Sequence, residues 1–127
     1  MKIIIFDEDY SSINRVHNYI ERYCKMNELA DVQIALTTRK PNTFKQYAKE
    51  NEISLAYINL DTPTVKSAHL IDELQQSNPF CTIVGYTMNA NIHKMHEQFP
   101  TVQSIELLET TIAAECRFTE YVKMLSK

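Results

Sequence analysis

Short, continuous runs of apolar residues recur along the chain, and segments with apolar residues at three- and four-residue steps separate them. A run that is apolar throughout, rather than at every second position, is typical of a strand buried on both faces of a parallel sheet. We predict five such strands, at Lys2–Phe6, Val32–Leu36, Ile53–Leu60, Thr82–Tyr86 and, with a weaker pattern, Val102–Leu107.

The segments between these runs have the periodicity of amphipathic helices. Ser11 or Ser12 can cap the first helix, whose apolar face includes Ile13, Val16 and Ile20. The other helices are predicted to start at Pro41 and to cover about Thr64–Gln76, Asn91–Gln98 and about Glu109–Leu125. Strand and helix therefore alternate along the chain.

This alternation predicts an α/β fold, in which helices cover both faces of a doubly wound, five-stranded parallel sheet. In such sheets ligands bind at the carboxyl ends of the strands, where the strand order switches. We therefore expect Asp7-Glu8-Asp9, Asn59-Leu60-Asp61 and Thr87 to converge on one rim of the sheet.

Length and charge narrow the class of protein. The 127 residues fit one domain, spanning 1–127, that is large enough to bury a core. A net charge of −3 with scattered basic residues argues against nucleic-acid binding by this segment itself. Acids interrupt the apolar N-terminal stretch, and no run approaches the roughly 20 apolar residues that a membrane helix needs. We expect a soluble, cytoplasmic protein that does not contact a membrane.

Cysteine and glycine usage excludes several kinds of site. Cys24, Cys81 and Cys116 are an odd number without CxxC spacing, so we predict small buried thiols rather than disulfides or a zinc site. Gly85 is the only glycine, whereas loops that cradle phosphates need glycines to let the backbone approach the ligand. This argues against a nucleotide-binding Rossmann or P-loop enzyme and against a flavodoxin-like cofactor enzyme.

Five segments carry a resemblance to a known family: KIIIFDED, ALTT, KENEISLAYINL, SNPFCTIVGYT and the terminal VKMLSK. Through them the chain resembles response-regulator receiver domains (CheY-like), and most closely those of LytTR-type regulators. The resemblance covers the whole chain and implies the strand order 2-1-3-4-5. It leaves open whether the chain is a complete protein or the N-terminal part of a longer regulator.

The resemblance also implies a phosphorylation site. In the family, two acids after the first strand hold Mg²⁺, an Asp ending the third strand accepts the phosphoryl group, and a hydroxyl ending the fourth strand bonds it. Asp7 and Glu8 match the acids and Thr87 matches the hydroxyl, but Asn59 falls on the acceptor position. An amide cannot form an acyl phosphate. Because one negative charge is missing, we expect at most a weak or vestigial Mg²⁺ site at Asp7 and Glu8.

The end of the fifth strand departs from the family in the same direction. The family has a Lys there that pairs with the phosphoryl group, and this chain has Leu107 or Glu106. The family's aromatic switch residue lies three positions before that Lys, which corresponds to Ser104.

A shifted register would give a different acceptor. Asp61 lies two residues beyond Asn59, and on an extended strand both side chains point the same way. The spacing to Pro63 favours Asn59, because the family has about three residues between the acceptor and the proline. Asp61 stays the alternative acceptor.

Two further clusters have an ordinary structural interpretation as well as a functional one. Asp7-Glu8-Asp9 can be a strand-end turn that supplies a helix-capping acid. His93 and His96 share a helix face and could hold a metal, but no third ligand stands out, which favours a solvated helix face.

Two functions follow from these residues. The first is a non-enzymatic pseudo-receiver, a phosphorylation-independent interaction module in bacterial signalling and transcription regulation, with no cofactor beyond weak Mg²⁺. Its partner would be a second copy or another signalling protein, bound through the last two strand–helix units, and DNA would be bound only through a separate LytTR-type domain. The alternative is an active receiver that accepts phosphate on Asp61, with Mg²⁺ and a histidine kinase.

Overall fold

The computed structural model describes residues 1–62 and 66–126, and strands and helices alternate through them. The elements in chain order are β1 (Lys2–Phe6), α1 (Tyr10–Met26), β2 (Gln33–Thr38), α2 (Pro41–Glu50), β3 (Leu55–Asn59), α3 (Ser67–Ser77), β4 (Thr82–Thr87), α4 (Ile92–Gln98), β5 (Ser104–Leu107) and α5 (Ile112–Leu125). The predicted alternation is confirmed.

All strand pairs are parallel, and the strands lie in the order β2-β1-β3-β4-β5. This is the doubly wound sheet that was predicted. The order reverses next to β1, so the carboxyl ends of β1 and β3 flank the crevice in which such sheets bind ligands.

Two apolar layers cover the sheet. Alternate residues of one strand enter different layers, because successive side chains of a strand point to opposite faces. Ile4 and Phe6 pack with α2, α3 and α4, whereas Ile3 and Ile5 pack with α1 and α5. All four side chains are fully buried. Burial on both faces explains why the sequence of β1 is apolar throughout.

Several element boundaries differ from the predicted ones because of capping. Asp9, rather than Ser11 or Ser12, caps α1, since its Oδ2 accepts a hydrogen bond of 2.8 Å from the Ser12 N–H. At α5 the Thr111 hydroxyl accepts from the Ala114 N–H at 3.1 Å, so the helix begins at Ile112 and not near Glu109.

Another predicted bound shifts, and one lies outside the described residues. β2 continues to Thr38, two residues beyond the predicted end, because it pairs with β1 as far as Phe6. The predicted start of the third helix at Thr64 lies outside the described residues, and α3 begins at Ser67.

The three cysteines are free thiols, but they are not all buried as predicted. Cys24 and Cys81 are half-buried, whereas Cys116 is exposed. Cys116 faces solvent because α5 turns Phe118 and Val122 into the core. In the described parts of the chain, no helix is both long enough and apolar enough to cross a membrane.

Candidate functional site

The carboxyl ends of β1, β3 and β4 bring the predicted polar residues together at one rim of the sheet. Asp7 follows β1, Asn59 ends β3 and Thr87 ends β4. A cavity of about 610 Å³ opens at this rim, and Glu8, Asn59 and Asp61 are among the residues that line it. The expected convergence is therefore seen, and the chemistry depends on how these side chains are engaged.

Asp7 is fully buried, and both of its carboxylate oxygens accept hydrogen bonds. Oδ2 accepts from the Tyr86 hydroxyl at 2.7 Å, and Oδ1 accepts from the Asp9 N–H at 2.8 Å. Burial raises the pKa of Asp7, because it disfavours the charged form, and hydrogen bonds from Tyr86, Asn59 and Asp9 offset part of that rise. Asp7 is thus a buried acid whose charge is satisfied from within the chain.

Asn59 connects Asp7 to Asp61. Its side chain lies beside the Asp7 carboxyl and lowers its pKa, and its Oδ1 accepts from the Asp61 N–H at 2.5 Å. Its backbone carbonyl accepts from the Ser67 hydroxyl at 2.9 Å. A carboxamide can serve both neighbours, since it has donors and an acceptor, whereas a carboxylate could only accept. The amide therefore fits a position between a buried acid and a backbone N–H.

Asp61 points its carboxylate at the end of β4. Oδ1 accepts from the Thr87 hydroxyl at 2.7 Å, and Oδ2 accepts from the Met88 N–H at 2.8 Å. Thr87 is fully buried, whereas Asp61 itself is exposed. Both oxygens of Asp61 are therefore bound by β4 and the residue that follows it.

The wall of the cavity at the end of β5 is apolar. Leu108, the residue after β5, lines the cavity and is buried in the core. Leu107 and Glu106, the residues that the sequence places at the end of the strand, are half-buried and are not among those that line the cavity. The Glu106 side chain is engaged outside the cavity. Its Oε1 accepts from the Tyr121 hydroxyl at 2.6 Å, and its Oε2 lies 3.5 Å from the Arg117 Nε.

Ser104, the residue compared with the family's aromatic switch, begins β5 and is half-buried. Its neighbour Ile105 is buried in the layer formed with α2, α3 and α4.

The arrangement does not suit the Mg²⁺ site that the resemblance implies. Within residues 1–62 and 66–126 no group of three or more His, Cys, Asp or Glu side chains is placed to hold a metal ion. Both oxygens of Asp7 accept hydrogen bonds inside the core, and the Asn59 Oδ1 accepts from Asp61. A hard divalent cation requires several oxygen ligands free to coordinate it.

His93 and His96, for which the sequence favours a solvated helix face over a metal pair, lie on α4. His93 lies 3.2 Å from Glu97 on the solvent side of α4, with 88% of its side chain exposed. This geometry supports the interpretation as a solvated helix face.

Four residues that shape the rim were not singled out from the sequence. Tyr86 binds Asp7, Met88 donates to Asp61, and Arg15 and Leu108 line the cavity. Tyr86 was recognised only as part of a buried strand, because nothing in a local pattern shows that its hydroxyl reaches across the sheet. Arg15 lies in the second turn of α1 and lines the same cavity as Glu8 and Asp9, which the sequence pattern of the helix does not reveal.

Comparison with known structures gives the fold. The response regulatory domain of protein mrkE from Klebsiella pneumoniae has 13% identity and a TM-score of 0.73, over 99% of this chain and 95% of that one. A CheY-like receiver domain protein from Methanospirillum hungatei JF-1 has 13% identity and a TM-score of 0.70, over 98% and 92%. The response regulator RcsB, in a complex with DNA, has 16% identity and a TM-score of 0.77, and this chain covers 63% of it.

No family model matches the chain, and no curated protein matches its sequence. Identities of 13% to 16% show the fold alone. The chain has the receiver-domain fold of two-component response regulators.

Proposed function

We propose that this chain is a pseudo-receiver, a receiver-fold module that acts through protein interaction and accepts no phosphoryl group. One observation carries the proposal. Asn59 ends β3 at the acceptor position of the resemblance, and its carboxamide accepts from the Asp61 N–H and lies beside the Asp7 carboxyl, whose pKa it lowers. An amide there cannot form an acyl phosphate, and its two contacts account for its presence.

The rest of the rim supports the same conclusion. Phosphoryl transfer needs a metal ion or cations to offset the charge of the transferred group. Here the residue that lines the cavity at the end of β5 is Leu108, the cationic side chain that lines it is Arg15 of α1, and the Asp7 carboxylate is bound by Tyr86 and Asp9. The proposed module therefore uses no cofactor and catalyses no reaction.

The interaction surface that we propose consists of α4, β5 and the side of α5 that faces β5. Glu106, Arg117 and Tyr121 form a polar cluster there, and the exposed Met124 lies on the same side of α5. The proposed partner is a second copy of the chain or another signalling protein. A role in transcription would come through a separate LytTR-type DNA-binding domain, in the same protein or in the partner.

Mass spectrometry of the intact protein tests this function. The chain is incubated with Mg²⁺ and a small phosphodonor such as acetyl phosphate, beside an active receiver as positive control. We expect no added phosphoryl group on this chain under conditions that modify the control. A stoichiometric gain of one phosphoryl group would contradict the proposal.

An active receiver that uses Asp61 is the second candidate, because the exposed Asp61 carboxylate lines the cavity. In that reaction an Asp61 oxygen would form a bond to phosphorus as the bond from phosphorus to the donor breaks, and the donor would leave with that electron pair. Asp61→Asn removes this nucleophile. A phosphoryl gain that is lost in Asp61→Asn and kept in Glu109→Gln, an exposed acid beyond β5, would establish this candidate instead.

A further inference from the structure

The Asp61 carboxylate is held at a defined place in the connection after β3. Its own N–H donates to the buried Asn59 side chain at 2.5 Å, and its two oxygens accept from Thr87 and Met88 at 2.7 and 2.8 Å. An exposed acid in a loop can form its hydrogen bonds with water, whereas Asp61 forms three within the chain. Asp61 thus joins the ends of β3 and β4.

We propose that Asp61 is a positioning residue, an internal anion that fixes the β4–α4 connection in one arrangement. This rests on the pseudo-receiver function proposed above and names the group that takes the place of phosphorylation in it. A fixed carboxylate binds the hydroxyl and the N–H at the end of β4 permanently, so the face formed by α4, β5 and α5 has one conformation without any phosphorylation.

A continuous path of hydrogen bonds leads from Asp61 to α4. Beyond Asp61, the Thr87 hydroxyl oxygen accepts from the Asn89 N–H at 3.0 Å. The Asn89 Oδ1 accepts from the Asn91 N–H at 2.9 Å, and the Asn91 Oδ1 caps α4 by accepting from the Lys94 N–H at 3.1 Å. Each link positions the acceptor of the next one. The start of α4 is therefore set by the position of Asp61.

The same strand end is tied to β5 and to the core. The Thr87 carbonyl accepts from the Leu108 N–H at 2.8 Å, and Asn89 Nδ2 lies 3.8 Å from the sulfur of the buried Met95. Hydrogen bonds to an ionised acceptor are shorter and stronger than those between neutral groups. The bonds to the Asp61 carboxylate are therefore the strongest links of the path, and their loss should loosen the links that follow.

Amide hydrogen exchange measured by NMR on the full chain tests the path. In Asp61→Asn one acceptor oxygen becomes a donor, and in Asp61→Ala both acceptors are lost. We expect Met88 to exchange on the order of 10-fold faster in the alanine variant, with smaller increases at Asn89, Asn91 and Lys94. The Met88 amide proton should also move upfield, since it loses a carboxylate acceptor.

Two controls make the result specific to Asp61. Glu109→Gln removes one negative charge from an exposed residue near the same rim, and it should leave the exchange at these four positions unchanged. The Ser12 N–H, which donates to Asp9 at 2.8 Å on that rim, should keep its exchange rate in every variant. Thr87→Val removes the second link and should speed exchange at Asn89, Asn91 and Lys94 more than at Met88.

The inference is overturned if exchange rises at Met88 alone, or if Glu109→Gln produces the same changes as Asp61→Ala. Its failure is distinct from that of the proposed function. The exchange experiment contains no phosphodonor, so unchanged rates at α4 would refute the role of Asp61 while leaving the absence of phosphorylation intact. A phosphoryl gain in the intact mass would refute the pseudo-receiver without altering the exchange result.

Discussion

Each side chain at the rim is bound by another, so the effect of changing one of them depends on its partners. Asp7 is a buried acid whose carboxylate accepts from Tyr86 and from the Asp9 N–H. Asn59 lies beside it, lowers its pKa and accepts from the Asp61 N–H. Replacing a residue here changes the hydrogen bonding of a buried neighbour, which is costly when it leaves a polar group unpaired. Two substitutions at the rim test the balance between this cost and the cost of a buried charge, and we expect one to stabilise the fold and the other to destabilise it.

Asp7→Asn should raise the free energy of unfolding at neutral pH. Burial raises the pKa of Asp7 above its ordinary 3.8, so the folded state binds a proton more readily than the unfolded state. Stability then falls as the pH rises from 3.8 through the folded pKa. Asp7→Asn removes the buried charge and with it the cost of keeping that charge away from water. This gain in the free energy of unfolding should exceed the loss caused by replacing one acceptor oxygen of the carboxylate.

Urea unfolding at a series of pH values measures the effect of Asp7→Asn. The gain should be largest at pH 7 and should shrink as the pH approaches 3.8. Asp72→Asn, at an exposed position of α3, is the matched control and should show no such trend. A variant that is less stable than the wild type at pH 7 would refute the argument.

Asn59→Asp should destabilise the fold, even though it restores the side chain that the family has at the acceptor position. The new carboxylate would lie beside Asp7 and could not donate to it, so we expect a loss of about 1–3 kcal/mol at pH 7. Chemical denaturation measures this, with Asn18→Asp on the exposed side of α1 as the control. Any phosphorylation gained by the variant should be weak. Unchanged stability would mean that the fold does not require the amide of Asn59 at this position.

At the scale of elements, the ends of strands and helices determine the geometry of the rim. α1 starts at Tyr10 because Asp9 caps it, and this start directs Arg15 to the cavity. Likewise, Asn91 caps α4 beside the end of β4. Capping side chains accept from N–H groups that have no partner within the helix. The caps therefore place the residues of the rim as well as stabilising the helices.

Asp9→Ala should lower the free energy of unfolding by about 1 kcal/mol, the usual cost of losing an N-cap side chain. Ser11→Ala is the control, because the sequence offered Ser11 as a cap and the structure places it inside α1. We expect Ser11→Ala to change stability by less than about 0.5 kcal/mol. Urea unfolding compares the two variants, and equal losses would mean that the cap is wrongly assigned.

At the scale of the whole molecule, the fold could be predicted from the sequence and the state of the site only in part. Strands such as Lys2–Phe6 are apolar because both faces are buried, and alternation with helices leaves few topologies. The convergence of Asp7, Asn59 and Thr87 follows from that topology. The bond from Tyr86 to Asp7 joins residues 79 positions apart, and no local pattern reveals it.

The end of β5 is a second place where a local sequence pattern does not reveal the state of the site. The sequence predicts a strand that ends at Leu107, and the structure confirms this end, but an apolar run alone does not show which side chain beyond that end lines the cavity. Pairing of Thr87 with Leu107 leaves Leu108 as the residue that lines the cavity. The register thus depends on contacts between strands.

If the proposed partner is a second copy, Met124→Lys should weaken self-association on the order of 10-fold, because it places a charge in the proposed face of α5. Light scattering after size-exclusion chromatography over a range of concentrations measures this. Met26→Lys, at the far end of α1 and 77% exposed, is the control for the loss of an exposed methionine. A chain that is monomeric at every concentration, or that loses association equally in both variants, would exclude a second copy on this face.

The contact between Tyr86 and Asp7 also gives the site an optical reporter. The chain has seven tyrosines and no tryptophan, so its near-ultraviolet absorbance comes mainly from phenol rings. Burial and the neighbouring Asp7 charge raise the pKa of Tyr86 well above 10.0, and burial does the same for Tyr57. In an alkaline absorbance titration these two phenols should stay un-ionised until the chain unfolds. Asp7→Asn should delay that unfolding, because removing the buried charge stabilises the fold.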